Sequence, residues 1–380
     1  MPLPTDAQLH AMREVGDPLV DELVEAHLGS KPAAAGKLLG LLFASPEMPD
    51  HPLVSAYMGR LPALVLEDPD RIKFGQEIFD LFGPEVLLIL GSCALPLAYA
   101  AGNGVQVVSR ARKLKEDPIR RLCDTAQMVI NVMQPDGLTE NGIGWISVRK
   151  TRLIHALIRF HTRSIRTDPW PPEFGVPVNQ EDLTGTLLAF SIAVLQCLRK
   201  IGARISIEQG NAYIHAWVQI GRMLGLDPSF LPANEEDAIA LALRIGERQI
   251  RATAEGKELS DELLNAVGSV FKVPGYAANL SHFFLEGSPF GEDVAKKLQI
   301  PAPRFSRWLV RTRAAQKRLE LRLLEIVPGA KARRSRYVTR FVQQLLKWKR
   351  DGGDRVPFFI PPRLEIKWGI HADSKAAPPL

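Results

Sequence analysis

Apolar side chains recur at three- and four-residue spacing along almost the whole of this chain, and that periodicity does most to narrow its fold. It marks helices over 18–29, 35–45, 72–82, 84–101, 117–133, 147–164, 180–202, 206–224, 234–254, 259–271, 275–286, 290–299, 303–326 and 334–350, because a 3.6-residue repeat places such positions on one face. Local chemistry at the boundaries agrees. Pro118 follows Asp117 at a first turn, where its missing N–H costs nothing. Asn179-Gln180-Glu181-Asp182 and Asn234-Glu235-Glu236-Asp237 put acids at two further N-termini. Gly225, before Leu226-Asp227-Pro228, marks a C-terminal stop. Alternating, strand-like runs are confined to Gly104–Val108 and Arg355–Ile360. The expected class is all-α. One large helical domain covers 31–300, with an extension over 1–30, basic amphipathic helices over 301–350 and an irregular tail over 351–380.

With 380 residues, 46% hydrophobic and 24% charged, the chain can bury a large core and falls outside the disordered, collagen-like and coiled-coil classes. Cys93, Cys123 and Cys197 lie far apart with no C-x-x-C pair, which excludes a disulfide scaffold and a cysteine-rich zinc module and fits a reducing compartment. The opening MPLPTDAQLH has neither a basic nor an apolar leader segment, so a cytoplasmic location is expected. The stretch Val86–Ser109 is uncharged, but Gly91 and Pro96 interrupt its apolar part, and it reads as a buried core helix rather than a membrane span.

The net charge of +6 is unevenly spread: residues 301–350 hold fifteen Lys and Arg against Glu320 and Glu325, a net +13, leaving −7 on the other 330 residues. The favoured reading of this stretch is a solvated helix pair that packs its leucines on the body. The other is a basic amphipathic surface, bordered by Trp308 and Trp348, that rests on an anionic membrane or apolar particle through 303–350. No zinc finger, RNA-binding aromatic motif or recognition helix accompanies the charges, so nucleic acid is not an expected partner. A monomer is the expected state.

The segment with the most chemistry is Lys150-Thr151-Arg152-Leu153-Ile154-His155-Ala156-Leu157-Ile158-Arg159. On a helix Arg152, His155 and Arg159 project from one face, among residues apolar enough to bury it. Two guanidiniums there are costly unless an anion meets them. Haem would satisfy each demand: iron takes the neutral imidazole, propionates take the guanidinium forks, and the ring takes the apolar walls. An ion-pair network with Asp or Glu elsewhere, around a hydrogen-bonded histidine, satisfies them too, and on these residues alone is the simpler account. Zinc is disfavoured, since no H-E-x-x-H or paired histidines at i, i+4 occur. Upstream, Arg121 and Thr125 share a face and could orient dioxygen in a pocket; the plainer reading pairs Arg121 with Glu116 or Asp117 at the surface. His215, beside Tyr213, Trp217 and the Gly221-x-x-x-Gly225 spacing, is the rival iron ligand, with a packing or hydrogen-bonding role preferred for it.

Taken in order, GDPLVDELV, RRLCDTAQMV, VRKTRLIHALIR, NQEDLTGTLLAFS and YIHAWVQIGRMLG resemble the DUF2236 family, over roughly 15–290. That family includes the latex clearing proteins (rubber oxygenases) and the MpaB-type oxygenases. The resemblance implies a globin-like helical core around haem b, and cleavage of a C=C bond of an isoprenoid or other apolar alkene by dioxygen to carbonyl products. It implies His155 as the iron ligand, Arg152 and Arg159 as flanking haem-pocket arginines, and Thr186 as the threonine of the following helix. Arg121 and Thr125 match the family's distal arginine and threonine. The chain departs from rubber oxygenases in two places: Asp124 stands where they carry a lysine, and 86–109 holds no acid to match their upstream glutamate. Asp124 is then the remaining carboxylate for a base, although a helix turns it about 100° from Thr125. These departures, with the missing leader, favour a smaller intracellular alkene over polyisoprene. The alternative is a haem-binding protein without oxygenase activity: a sensor, carrier or weak peroxidase.

Overall fold

The computed structural model describes residues 3–29, 32–44, 47–61, 66–112, 118–164, 169–271, 273–286, 291 and 293–351. Their secondary structure is helical: α1 Asp6–Arg13, α2 Pro18–Leu28, α3 Pro32–Ala44, α4 Pro52–Arg60, α5 Pro69–Ile89, α6 Leu95–Ala100, α7 Gly104–Arg112, α8 Pro118–Met133 and α9 Ile143–Ser164. They continue with α10 Gln180–Phe190, α11 Ile192–Lys200, α12 Ile207–Met223, α13 Glu235–Gln249, α14 Ala254–Phe271, α15 Tyr276–Leu285, α16 Val294–Lys297, α17 Arg304–Ile326 and α18 Ala330–Asp351. Among the described residues the one β feature is an isolated bridge between Ala101 and Ile250. The all-α expectation holds.

The helix starts follow their side chains. Asn179 and Asn234 accept the backbone N–H of Asp182 and Asp237, capping α10 and α13. Ser206 and Gln209 form a reciprocal capping box at α12, and Thr5 and Gln8 form another at α1. Four boundaries differ from the periodic reading. Gly104–Val108 opens helix α7 rather than a strand; Val105 and Val107 alternate in sequence, yet both are buried in helical conformation, where α6, α9 and α14 pack against them. The helix expected over 180–202 breaks at Ser191 (φ −106°, ψ −84°), whose hydroxyl bonds back to the Leu187 carbonyl. The break expected near residue 83 is instead a kink inside α5 at Phe82 (φ −125°, ψ 16°), ahead of Pro84, and a π turn over Leu90–Ala94 then leads into α6. Among the described residues of the expected 290–299, Val294–Lys297 alone is α-helical. The run Arg355–Ile360 and the tail beyond 351 lie outside the described residues.

The helices enclose two apolar clusters. The larger gathers α5, the π turn, α6 and α10–α15 around residues such as Trp217, Tyr213 and Leu198. The smaller lies between α2, α3, α4 and α9, with Val20, Leu38, Leu53, Tyr57 and Leu157. Helix α9 belongs to both: Trp145 and Val148 enter the larger, Leu153, Ala156 and Leu157 the smaller. Two helical stretches, Pro69–Ala100 and Gln180–Lys200, are long and apolar enough to cross a membrane by length and composition, and 67% and 78% of their apolar windows are packed inside the protein. The basic helices dock by Val310, Ala314, Leu321, Val338 and Val342. Arg334 anchors α18, donating to both Glu85 oxygens at 2.5 Å, to the Leu81 carbonyl at 3.0 Å and to Glu320 at 3.2 Å.

Candidate functional site

The site grows from the start of α2. Pro18 fixes the first helical turn, and Asp17 before it caps nothing on its own helix. Its carboxylate instead crosses to α9, accepting Arg152 Nε at 2.5 Å and Nη2 at 2.9 Å. One turn later Asp21 accepts Arg159 Nε at 2.8 and 3.0 Å. Carboxylates at i, i+4 on α2 thus meet guanidiniums at i, i+7 on α9, and Arg159 Nη1 also donates to the Val178 carbonyl at 3.1 Å. Burial works against the Arg152 charge, but its hydrogen bonds to Asp17 and that carboxylate's charge outweigh it and leave its pKa raised. Of the two anion sources that the sequence left open, haem propionates and carboxylates elsewhere in the chain, the structure shows the second: Arg152 and Arg159 are met by Asp17 and Asp21.

Two further segments close on this pair of bridges. Gln180, at the first turn of α10, donates to the carbonyls of Gly16 (2.6 Å) and Gly225 (3.0 Å) and accepts the Asp227 N–H (2.9 Å). Its neighbours tie down α1: Arg13 reaches Glu181 at 3.1 Å and Asp182 at 2.9 Å, while Arg248 and Gln249 hold Glu181 from α13. Space is tight enough to require glycine twice. A Cβ on Gly225, whose φ is +87°, would sit 2.7 Å from Asp17 Oδ2 and 2.8 Å from Arg152 Nε. A Cβ on Gly16 would sit 2.7 Å from Asp21 Oδ2.

His155 stands on α9 between the two bridged arginines, on a half-buried stripe with Thr151, Ile154 and Ile158. Its Nδ1 is buried and has no hydrogen-bond partner. Burial, with the Arg159 charge adding to it, pushes its pKa down to about 3, so the imidazole is neutral at physiological pH. Arg159 Nη2 is likewise buried without a partner. The rival ring is engaged: His215 Nε2 lies 2.8 Å from the Glu67 carbonyl. His282 and His27 are bonded to the Ile300 and Leu23 carbonyls in the same way. Among the described residues, His161 alone shares with His155 a buried Nδ1 lacking a partner.

Helices α8 and α9 pack together as a hairpin in which the Asn131 amide donates to Ser147 Oγ at 2.7 Å. With that register and a rise of about 1.5 Å per residue on each helix, Thr125 and Arg121 come level with the part of α9 that carries His155. Helix α8 is buried over Val129–Met133, near the turn, and half-buried from Arg121 to Met128 except at Asp124, which is exposed. Arg121 Nη2 donates to the Tyr99 hydroxyl at 3.3 Å, and its Nη1 is buried without a partner. Burial pushes the Tyr99 pKa up, with Arg121 pulling the other way. The Thr125 hydroxyl donates to the Arg121 carbonyl at 2.9 Å, leaving its oxygen free to accept.

Thr186 lies elsewhere. It is exposed, donates to the Asp182 carbonyl at 2.8 Å, and lines a cleft of about 70 Å³ between Leu97, Ala98, Leu188 and Ile245, to which α9 contributes nothing. Among the described residues no three of His, Cys, Asp and Glu converge on a metal position. Sequence reasoning missed Asp17, Asp21, Gln180 and Tyr99. The first two carried a signal, an i, i+4 pair of acids in GDPLVDELV; Tyr99 had none beyond being the polar aromatic of an uncharged stretch.

Comparison with known proteins places these residues in context. Residues 74–344 match the family described as ER-bound oxygenase mpaB/B'/Rubber oxygenase, catalytic domain. A rubber oxygenase of Streptomyces sp. (strain K30) is 26% identical over 183 residues, which make up 45% of this chain and 44% of that protein, so the similarity spans less than half of that relative. The fold is similar to that of latex clearing protein LCP in its closed state, with a TM-score of 0.64 and 20% identity, over 87% of this chain and 91% of that one.

Proposed function

Because the chain belongs to the family of ER-bound oxygenases mpaB/B' and rubber oxygenases, we propose that it is a haem b-dependent oxygenase that cleaves a C=C bond of an isoprenoid or other apolar alkene with dioxygen, giving carbonyl products. The observation that carries the haem reading is His155: a neutral imidazole with a buried, unpartnered Nδ1, on a helix whose flanking cations are already balanced. Buried ring nitrogens are ordinarily bonded, and His215 and His282 each bond through the ring here. Of the two exceptions among the described residues, His155 and His161, His155 is the one that stands between the bridged arginines. His155 would hold the iron. Haem, when bound, supplies the redox-active iron for dioxygen chemistry.

The remaining roles belong to the chain. Asp17–Arg152 and Asp21–Arg159 fix α9 along its length, so the imidazole is positioned by two buried bridges rather than by a bond to its own ring. Arg159 keeps one free donor, Nη2, for an anionic group at the haem edge. On α8, Arg121 is steered by Tyr99 and offers Nη1, while Thr125 offers an acceptor oxygen; together they would orient the polar reactant against an apolar alkene. A cytoplasmic monomer that takes the alkene and dioxygen and needs no redox partner completes the proposal.

One observation favours the second reading, haem binding without oxygenase activity. Asp124, the one carboxylate among the described side chains of α8, is exposed and turned from Thr125. If a carboxylate base is required, this helix does not aim one inward. Two measurements separate the possibilities. Absorption spectra with pyridine haemochrome quantitation should give about one haem b per chain for the wild type and for His215→Ala, and little for His155→Ala; full haem in His155→Ala would overturn the ligand assignment. Incubation of haem-loaded protein with alkenes under oxygen should yield carbonyl fragments, and their absence across an alkene panel would leave the non-oxygenase reading.

A further inference from the structure

Helix α17 carries two apolar stripes, and only one of them is used. At 100° per residue, Ser306, Val310, Ala314 and Leu321 fall on the side that packs on the body. On the opposite side, within an arc of about 60°, lie Phe305, Trp308, Leu319, Leu323 and Ile326, each between 48% and 73% exposed. This outer stripe runs for about 32 Å at 1.5 Å per residue. It has two clusters, Phe305 with Trp308 at the start of the helix and Leu319, Leu323 and Ile326 at its end, with Thr312, Ala315 and Gln316 on the same face between them. Five large apolar side chains exposed on one face of one helix exceed the single scattered ones of an ordinary monomer surface.

The charges beside the stripe select its occupant. Arg304, Arg311 and Arg322 border one flank, and Arg333, Arg336 and Arg340 of the adjoining α18 are exposed as well. Residues 301–350 carry a net +13. A second copy would bring the same charge against itself, and the segment 352–380, with four Lys and Arg against three Asp and Glu, has no net negative charge to offer. An anionic lipid surface answers both features: headgroups meet the arginines while the rings and leucines enter the acyl boundary, with Trp308 suited to that border.

We propose that the outer face of α17, with the neighbouring arginines of α18, docks this protein on anionic membranes. The helix lies in the interface plane, held from behind by Val310, Leu321 and the Arg334–Glu85 bridge, so docking requires no unfolding. The inference does not depend on haem or on catalysis. It also gives the favoured sequence reading of these helices, a pair packed on the body, a second face that the packing leaves unused.

The test is co-sedimentation of the full-length protein with vesicles of phosphatidylcholine alone, or of phosphatidylcholine with one third phosphatidylglycerol, at low and high salt. Binding is expected only to the anionic vesicles and should weaken as salt rises. The triple variant Phe305→Ser/Trp308→Ser/Leu319→Ser, and separately Arg304→Glu/Arg322→Glu, should each lower the partition coefficient at least tenfold while the circular dichroism spectrum stays unchanged, since all five side chains are exposed. Failure to bind anionic vesicles, or equal binding by the variants, overturns the proposal. So does lipid-free self-association that the triple variant abolishes, which would assign the stripe to a second copy.

Discussion

Replacing Asp17 with Asn tests the balance of charge around His155 most directly. Asn keeps the shape and one acceptor but removes the counter-charge, leaving the Arg152 guanidinium in a site where its side chain is 12% exposed and that of Asp17 5%. Solvent screening, which reduces exposed pairs to about 0–1 kcal/mol, is absent at that depth. Breaking a buried bridge from one side costs about 3–5 kcal/mol, a large share of a typical total stability of about 5–15 kcal/mol. Arg152→Met should cost a similar amount, because it leaves Asp17 buried and unpaired. The double variant removes both charges, so its loss should fall short of the sum by up to about 3 kcal/mol. Guanidinium unfolding followed by circular dichroism, on all four proteins at one pH, measures the cycle. A loss below about 1 kcal/mol for Asp17→Asn, with additive single variants, would refute the argument. It would mean that Arg152 is served by solvent or by a bound anion, the latter being what the family resemblance implied.

Four other outcomes follow from the same geometry. Gly225→Ala should lose more than about 1 kcal/mol in the same assay, since its positive φ and its approach to the Asp17–Arg152 bridge both penalise a Cβ; a neutral substitution would show that the loop can move aside. His155, at about 6.5 when unfolded and about 3 when folded, is neutral in both states above pH 6.5, so the stability it permits is complete there and is lost as pH falls toward 3. Between pH 7 and pH 4, wild type should lose about 2–3 kcal/mol more than His155→Gln, and parallel pH profiles would contradict this. One of the three thiols, Cys123, should react quickly with a thiol reagent in native protein, because Cys93 and Cys197 are buried 3.5 Å apart and the Cys197 pKa is raised by its contact with Cys93 and by burial; rapid reaction of all three would show that this core opens. Glu85→Gln should make α18 more sensitive to trypsin, because it strips Arg334 and Lys317 of their buried carboxylate, and an unchanged digestion pattern would mean that the apolar contacts alone hold it.

Much of the helical layout could be read from the chain because a 3.6-residue repeat is a local property. Long amphipathic elements such as α9, α12 and α17 declared themselves, as did the caps at Asn179 and Asn234. Helices α1 and α4, with 8 and 9 residues, are too short for the repeat to show. The interruption at Ser191 has no breaker residue to announce it, and α7 was mistaken for a strand because Val105 and Val107 alternate; packing decided both. The site divides in the same way. His155 and its arginines were legible from spacing along one helix. Their partners were not, because Asp17 and Asp21 lie 135 and 138 residues away, and nothing local states which carboxylate a guanidinium will meet. Thr186 shows the converse: it follows a site-building segment directly, yet it is exposed and lines a cleft to which α9 contributes no residue.

The bridges on α9 also bear on how the chain assembles itself. The family match begins at residue 74, yet the carboxylates that neutralise Arg152 and Arg159 come from α2. A fragment cut at that boundary would carry its histidine on a helix with two buried, uncompensated cations. In the intact chain these contacts close loops of more than 130 residues, and such closures must overcome their entropy before they are rewarded. The face around His155 is therefore not a property of α9 alone: it takes its final form only when the first helices dock, so the N-terminal segment outside the family match is part of the structure that holds this histidine.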